Sequence, residues 1–138
     1  MPNVSLIANF SVFIKVSFLL QSCEFMKNYT DTALHVYFAG NLRIYNCDDC
    51  CSRWFSTFNF AECSVPGSIN GAFYMRKGIG HNLHRHRRIE GHCNNIHKGK
   101  VRLGFWVGKC KNEKLADAYT GWVTLSRIFV EEVAKAQQ

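Results

Sequence analysis

The stretch Cys47-Asp48-Asp49-Cys50-Cys51-Ser52-Arg53-Trp54-Phe55-Ser56-Thr57-Phe58-Asn59-Phe60-Ala61-Glu62-Cys63 sets four of the chain's seven cysteines around an aromatic run. If it is extended, Trp54, Ser56, Phe58 and Phe60 share one face and Phe55, Thr57 and Asn59 the other. Large apolar groups on both faces predict an inner strand, covered on both sides as in a sandwich. Neighbouring Cys50 and Cys51 would then project to opposite faces, so each is expected to bond to a different partner. Cytosolic chains seldom carry thiols this densely unless they bind metal, so an oxidising compartment is the first expectation.

Outward from this block the pattern stays that of strands. In residues 34–45, Leu34, Val36 and Phe38 alternate with His35 and Tyr37, and Gly40-Asn41 supplies turn residues, which reads as a hairpin. Residues 69–75 form a short strand candidate. In 100–108, Val101, Leu103, Phe105 and Val107 share a face, and in 122–130 so do Val123, Leu125 and Phe129. Short strands separated by Gly, Asn, Asp and Lys predict an all-β jelly-roll sandwich. Only the tail, 130–138, has helix-forming composition, and Glu131 and Glu132 read there as a solvated strand end.

The 138 residues, 47% of them hydrophobic, suit one compact domain with its own core. We divide the chain into an apolar segment, 1–22, and a single disulfide-containing globular domain, 23–138. Residues 4–20 are apolar like a signal segment, yet lack a basic leader and contain Lys15, so they read either as signal-like or as first strands. That lysine and the length argue against a membrane span. A lipid-modified Cys23 is a third reading. Asn-x-Ser/Thr sequons stand at Asn3, Asn9 and Asn28, of which Asn28 lies within the globular part and is the N-glycosylation candidate.

A net charge of +7 predicts attraction to polyanions. It concentrates in 76–88, where Arg76, Lys77, Arg85, Arg87 and Arg88 stand with His81, His84 and His86 and no acid. An exposed loop is expected here. Clustered guanidinium groups grip sulfate in bidentate fashion, making these five cations glycan-binding candidates with heparan sulfate as ligand, against the plainer reading of a solvated basic loop. The histidines would add charge on acidification and raise that affinity. Nucleic acid ranks lower, since no DNA- or RNA-binding module fits.

Cys23, Cys47, Cys50, Cys51, Cys63, Cys93 and Cys110 are disulfide candidates, with six paired and one left over. Zinc competes through Cys47-x-x-Cys50 with His81, His84, His86, His92 and His97 downstream, but no second Cys-x-x-Cys follows. A cysteine nucleophile with a histidine base and Asp48, Asp49 or Asp117 as orienter lacks any activating motif, so no catalytic residue, metal or cofactor is assigned. Trp54, Trp106 and Trp122 are read as structural.

Together, Cys50-Cys51-x-Arg53-Trp54-Phe55-x-Thr57-Phe58-Asn59-x-Ala61-Glu62-Cys63, Ile89-Glu90-Gly91-x-Cys93, Trp106-Val107-Gly108-x-Cys110 and Asp117-Ala118-x-Thr120-Gly121-Trp122, then Ser126-Arg127-Ile128 and Glu131-Glu132, carry a resemblance. Over about residues 23–133 the chain resembles the C-terminal globular domain of the collagen triple helix repeat-containing protein 1 family. The resemblance implies a fold similar to complement globular heads and tumour necrosis factor, and a homotrimer. It also implies a secreted extracellular-matrix glycoprotein that engages Wnt, Frizzled and Ror-type receptor components, modulates planar cell polarity signalling and affects collagen matrix. The alternative is a basic heparan-sulfate-binding matrix module without a signalling role. No catalytic residue is implied. The chain departs from the family in lacking the preceding collagen repeat and a cysteine ahead of Cys23, which makes Cys23 the expected orphan. It also has Phe60 where the family tends to place glycine.

Overall fold

The computed structural model of the chain describes residues 4–10, 12–14, 18–45, 48–77, 84–111, 117–121 and 123–135. Its elements are β1 (Val4–Phe10), β2 (Val12–Ile14), β3 (Phe18–Lys27), β4 (Thr32–Tyr45), β5 (Cys50–Phe58), β6 (Ala61–Glu62), β7 (Asn70–Met75), β8 (Arg85–Cys93), β9 (Gly99–Lys109), β10 (Asp117–Thr120) and β11 (Ser126–Ala134). One sheet has the order β1-β11-β4-β10-β2, with β8 on the free edge of β4; the other has the order β3-β9-β5-β6, with β7 also on β5. All pairs are antiparallel.

β11 and β10 pair with successive stretches of the same edge of β4, and β1 and β2 line up on them in turn. Each of these two pairs therefore acts as one interrupted strand. With the two-residue β6 set aside, eight strands remain, ordered first-eighth-third-sixth in one sheet and second-seventh-fourth-fifth in the other. That is the strand order of a jelly roll. β1 and β2 fall in the apolar N-terminal segment, and β3 runs unbroken across the boundary drawn at residue 23.

The core follows from alternation. β4 sends Leu34, Val36, Phe38, Leu42 and Ile44 inward, and β9 answers with Val101, Leu103, Phe105 and Val107. Phe38 and Phe105 stack at 4.5 Å across the layers. Trp54 of β5 is fully buried and donates its indole N–H to Thr120 Oγ1 of β10 at 2.9 Å, linking the two sheets.

Four local expectations are corrected. Residues 34–45 are not a hairpin: β4 runs straight through Gly40, held by β8 on one edge and by β11 and β10 on the other. Gly40 is there for space, since a Cβ would stand 2.7 Å from Ser126 Oγ and 2.8 Å from Phe38 Cζ. Val123 and Leu125 do not begin a strand. They lie exposed in a bend, Val123 at φ 52°, ahead of β11. The segment after Val130 is strand to Ala134 because β11 is gripped by both β1 and β4.

Glu132, expected in solvent, is buried. Its carboxylate accepts hydrogen bonds from the backbone N–H of Asn28 (2.7 Å) and Tyr29 (2.9 Å) and from the Thr32 hydroxyl (2.6 Å). Beside it Lys27, also buried, donates to the carbonyls of Tyr29 and Thr30. The β3–β4 turn is built around this pair. Burial drives the Lys27 pKa down against the attraction of Glu132 and Asp31. Burial would push the Glu132 carboxyl up, but its three hydrogen bonds and Lys27 hold it below the ordinary value.

The turn from β5 to β6 is Asn59-Phe60, with φ of 53° and 70°. A two-residue hairpin with both residues left-handed wants Asn-Gly, and an aromatic Cβ is strained at the second position. Phe60 is also 73% exposed, so it gains little from packing. Phe60→Gly is expected to stabilise the fold by about 0.5 to 1 kcal/mol, the relieved strain exceeding glycine's unfolded-state entropy. A melting temperature equal to or below the parent's would refute this.

Candidate functional site

The basic segment is not one loop. Arg76 and Lys77 follow β7, residues 78–83, including His81, lie outside the described residues, and Arg85, Arg87 and Arg88 belong to β8. A strand forms here because β8, which among the described residues pairs with β4 alone, is an edge, and an edge tolerates charge. Alternation then sends neighbouring arginines to opposite faces.

The site is the gap between β8, the edge of one sheet, and β7, the edge of the other. Reciprocal contacts close it: a Cβ on Gly71 would meet Ile89 at 3.1 Å, and one on Gly91 would meet Ile69 at 2.8 Å. Each isoleucine thus sits over the facing glycine. The Cys63–Cys93 bridge fastens one end. Arg87 continues the series, its guanidinium 4.8 Å over the Phe73 ring. A cleft of about 330 Å³ results, lined by Asn70, Gly71, Ala72 and Phe73 on one side and by Arg87, Arg88 and Glu90 on the other.

Arg88 lies on the opposite face. Its guanidinium covers Tyr37 at 4.0 Å and donates to Glu90 from Nε at 2.8 Å and from Nη2 at 3.3 Å. Arg88 and then His35 hold Glu90 down to about 2. Arg76, Lys77 and Arg85 are exposed, and the Lys77 backbone N–H is anchored on Asp49 at 3.0 Å. Burial and the charge of Arg43 push the His84 pKa down, so on acidification this histidine gains charge late.

The sequence reading missed a second network on the outer face of the β4 sheet. His35 contacts Glu131 through Nδ1 at 2.7 Å and Glu90 through Nε2, and stacks on His92 at 4.5 Å. Burial alone would lower the His35 pKa, but the two carboxylates outweigh it and the net shift is upward. Glu131 is therefore engaged rather than solvated. Its signal was the register that places His35 opposite both His92 and Glu131.

Cys51 is bridged to Cys110, Cys63 to Cys93, Cys50 is also disulfide-bonded, and Cys23 is a free, partly buried thiol. Cys47 lies outside the described residues. Among the described residues no three His, Cys, Asp or Glu side chains are grouped to hold a metal ion. His97 bonds the Lys100 carbonyl at 3.1 Å, and His86 is exposed on β8. Asn28 sits on the exposed turn between β3 and β4. Trp106 lies on the outer face of β9, donating to Thr57 Oγ1 at 2.9 Å, and Trp122 is outside the described residues.

The bridged cysteines, the inward Trp54 and the Trp106-Val107-Gly108-x-Cys110 run all lie within the residues that one family model matches. The family model for the CTHRC1 C-terminal domain matches residues 13–130. The chain belongs to that family. As a CTHRC1 C-terminal domain it is an extracellular-matrix-associated module, and its family is not a known enzyme family. Solved structures similar to this CTHRC1 C-terminal domain include the D431N mutant VP2 protein of infectious bursal disease virus, at 11% identity and TM-score 0.46. The infectious bursal disease virus Gx strain is similar at 9% identity and TM-score 0.49. Each match covers 96% of this chain and 32% of that one, so the chain spans about a third of their length. No helix among the described residues is long and apolar enough to cross a membrane.

Proposed function

We propose that this domain acts without catalysis, secreted into the matrix, and that it holds heparan sulfate along the β7–β8 edge. The observation behind this reading is the cleft that Arg87 lines opposite Asn70, Gly71 and Ala72, with Arg76, Lys77 and Arg85 exposed on the same two strands and their connection. Arginines stacked on rings keep their outer N–H groups for sulfate, and a braced edge loses little entropy on binding. The engagement of Wnt, Frizzled and Ror-type components, and the modulation of planar cell polarity signalling, rest on family resemblance and belong to another face. Asn28, exposed on the β3–β4 turn, is the N-glycan acceptor in this reading.

A homotrimer is the companion proposal. The outer face of the β4 sheet stacks Tyr37 on Phe129 at 5.1 Å, lays Arg88 over Tyr37, and places Arg43 5.5 Å from the centre of Tyr45 and 5.8 Å from that of Tyr119. Aromatic and arginine enrichment is the mark of a subunit interface.

The Arg85→Ser, Arg87→Ser, Arg88→Ser variant is expected to lose heparin-column retention, the slope of log affinity against log salt falling by roughly two as Arg85 and Arg87 stop releasing counterions, Arg88 being already paired with Glu90. Co-precipitation with Wnt or Frizzled should survive, and sedimentation of the parent should give three times the chain mass. Unchanged retention would refute the glycan site.

A further inference from the structure

A second basic cleft lies on the other side of β7. It encloses about 490 Å³ and is lined by Arg53, Lys109, Cys110 and Lys111 together with the same Asn70, Gly71 and Ala72 that line the first. The small residues Asn70, Gly71 and Ala72 of β7 thus form a low wall between two clefts, the first carrying Arg87 and the Arg88–Glu90 pair, the second Arg53, Lys109 and Lys111. Lys109 and Lys111 are exposed, while Arg53 donates to Glu62 Oε2 at 3.1 Å and is partly neutralised there. Among the described residues, no acidic side chain lines the second cleft.

The lysines stand on fixed backbone. Cys110 between them is bridged to Cys51, and its N–H donates to the Cys51 carbonyl at 3.1 Å, so the β9 end is pinned to β5. The position of both charges relative to β7 is set before a ligand arrives.

We infer that one sulfated polysaccharide chain crosses β7 and occupies both clefts, Arg87 taking sulfate on one side and Lys109 and Lys111 on the other. This rests on the glycan reading above and extends it to residues of a different sheet. A small anion fits one cleft only. A polymer bearing repeated anions reaches both, and its second contact is intramolecular, which raises affinity through effective concentration. Bases of a single-stranded nucleic acid would need open rings to stack on. Phe73, the ring in these linings, is already capped by Arg87.

The test compares the full chain with Lys109→Ser/Lys111→Ser, both changes at exposed positions, using a heparin disaccharide and a heparin octasaccharide in calorimetry at several salt concentrations. The variant is expected to bind the octasaccharide about tenfold more weakly, with a salt slope lower by roughly two, and to lose little affinity for the disaccharide, which Arg87 still holds. Octasaccharide binding unchanged in this variant but lost in the triple arginine variant would overturn the two-cleft chain and leave the glycan site standing. Binding unchanged in both variants would overturn both. An oligonucleotide of equal charge that binds as tightly, with the same dependence on Lys109 and Lys111, would overturn the assignment to sulfated glycan.

Discussion

Replacing Glu132 by alanine is expected to lower folding stability by about 3 to 5 kcal/mol, the cost of stranding the partner of a buried ion pair. The carboxylate receives the N–H groups of Asn28 and Tyr29 and the Thr32 hydroxyl, and it faces buried Lys27. Its removal leaves a buried ammonium with only the Tyr29 and Thr30 carbonyls and the more distant Asp31 to steady it. Denaturant unfolding of the oxidised chain measures the loss. Lys27→Met added to Glu132→Ala should recover a substantial part, because the uncompensated charge goes with it. A single-variant loss under about 1 kcal/mol, or a double variant no better than the single, would show that water already reaches this pair.

Trp54→Ala should cost about as much, roughly 3 to 5 kcal/mol, by a different route. Trp54 is among the largest fully buried side chains, meets Phe73 edge-on at 5.9 Å, and is the donor to buried Thr120 Oγ1. Truncation empties the space between the sheets and leaves that hydroxyl without its indole partner. Trp54→Phe keeps most of the volume and should lose clearly less, the difference reporting the missing hydrogen bond and the smaller ring. Equal losses for the two variants would mean that the hydrogen bond, rather than the cavity, dominates.

The strand pattern of the block that ends at Cys63 was legible because a period of two is a local property. Trp54 and Phe58 face in, and Phe55 and Thr57 face out, as the alternation requires. Gly40 misled because glycine serves turns and close packing alike, and the side chain it makes room for, Ser126, comes from the far end of the chain. Glu131 and Glu132 looked solvated for the same reason: their partners, His35 and the β3–β4 turn, are brought to them only by sheet register. The consecutive arginines looked like a loop because composition does not record that a strand sits at an edge. At the candidate site, Arg87 and Arg88 were readable as a charge cluster. Arg53, Lys109 and Lys111 were not, since two segments distant in sequence converge on β7.

Two of the disulfides have a topological consequence. Cys51–Cys110 and Cys63–Cys93 both span the connection between β7 and β8, each joining a cysteine before it to one after it. A protease that cuts between Lys77 and Arg85 therefore cannot release a fragment. It makes a two-chain molecule whose halves stay covalently tied, and only a reductant would break that tie.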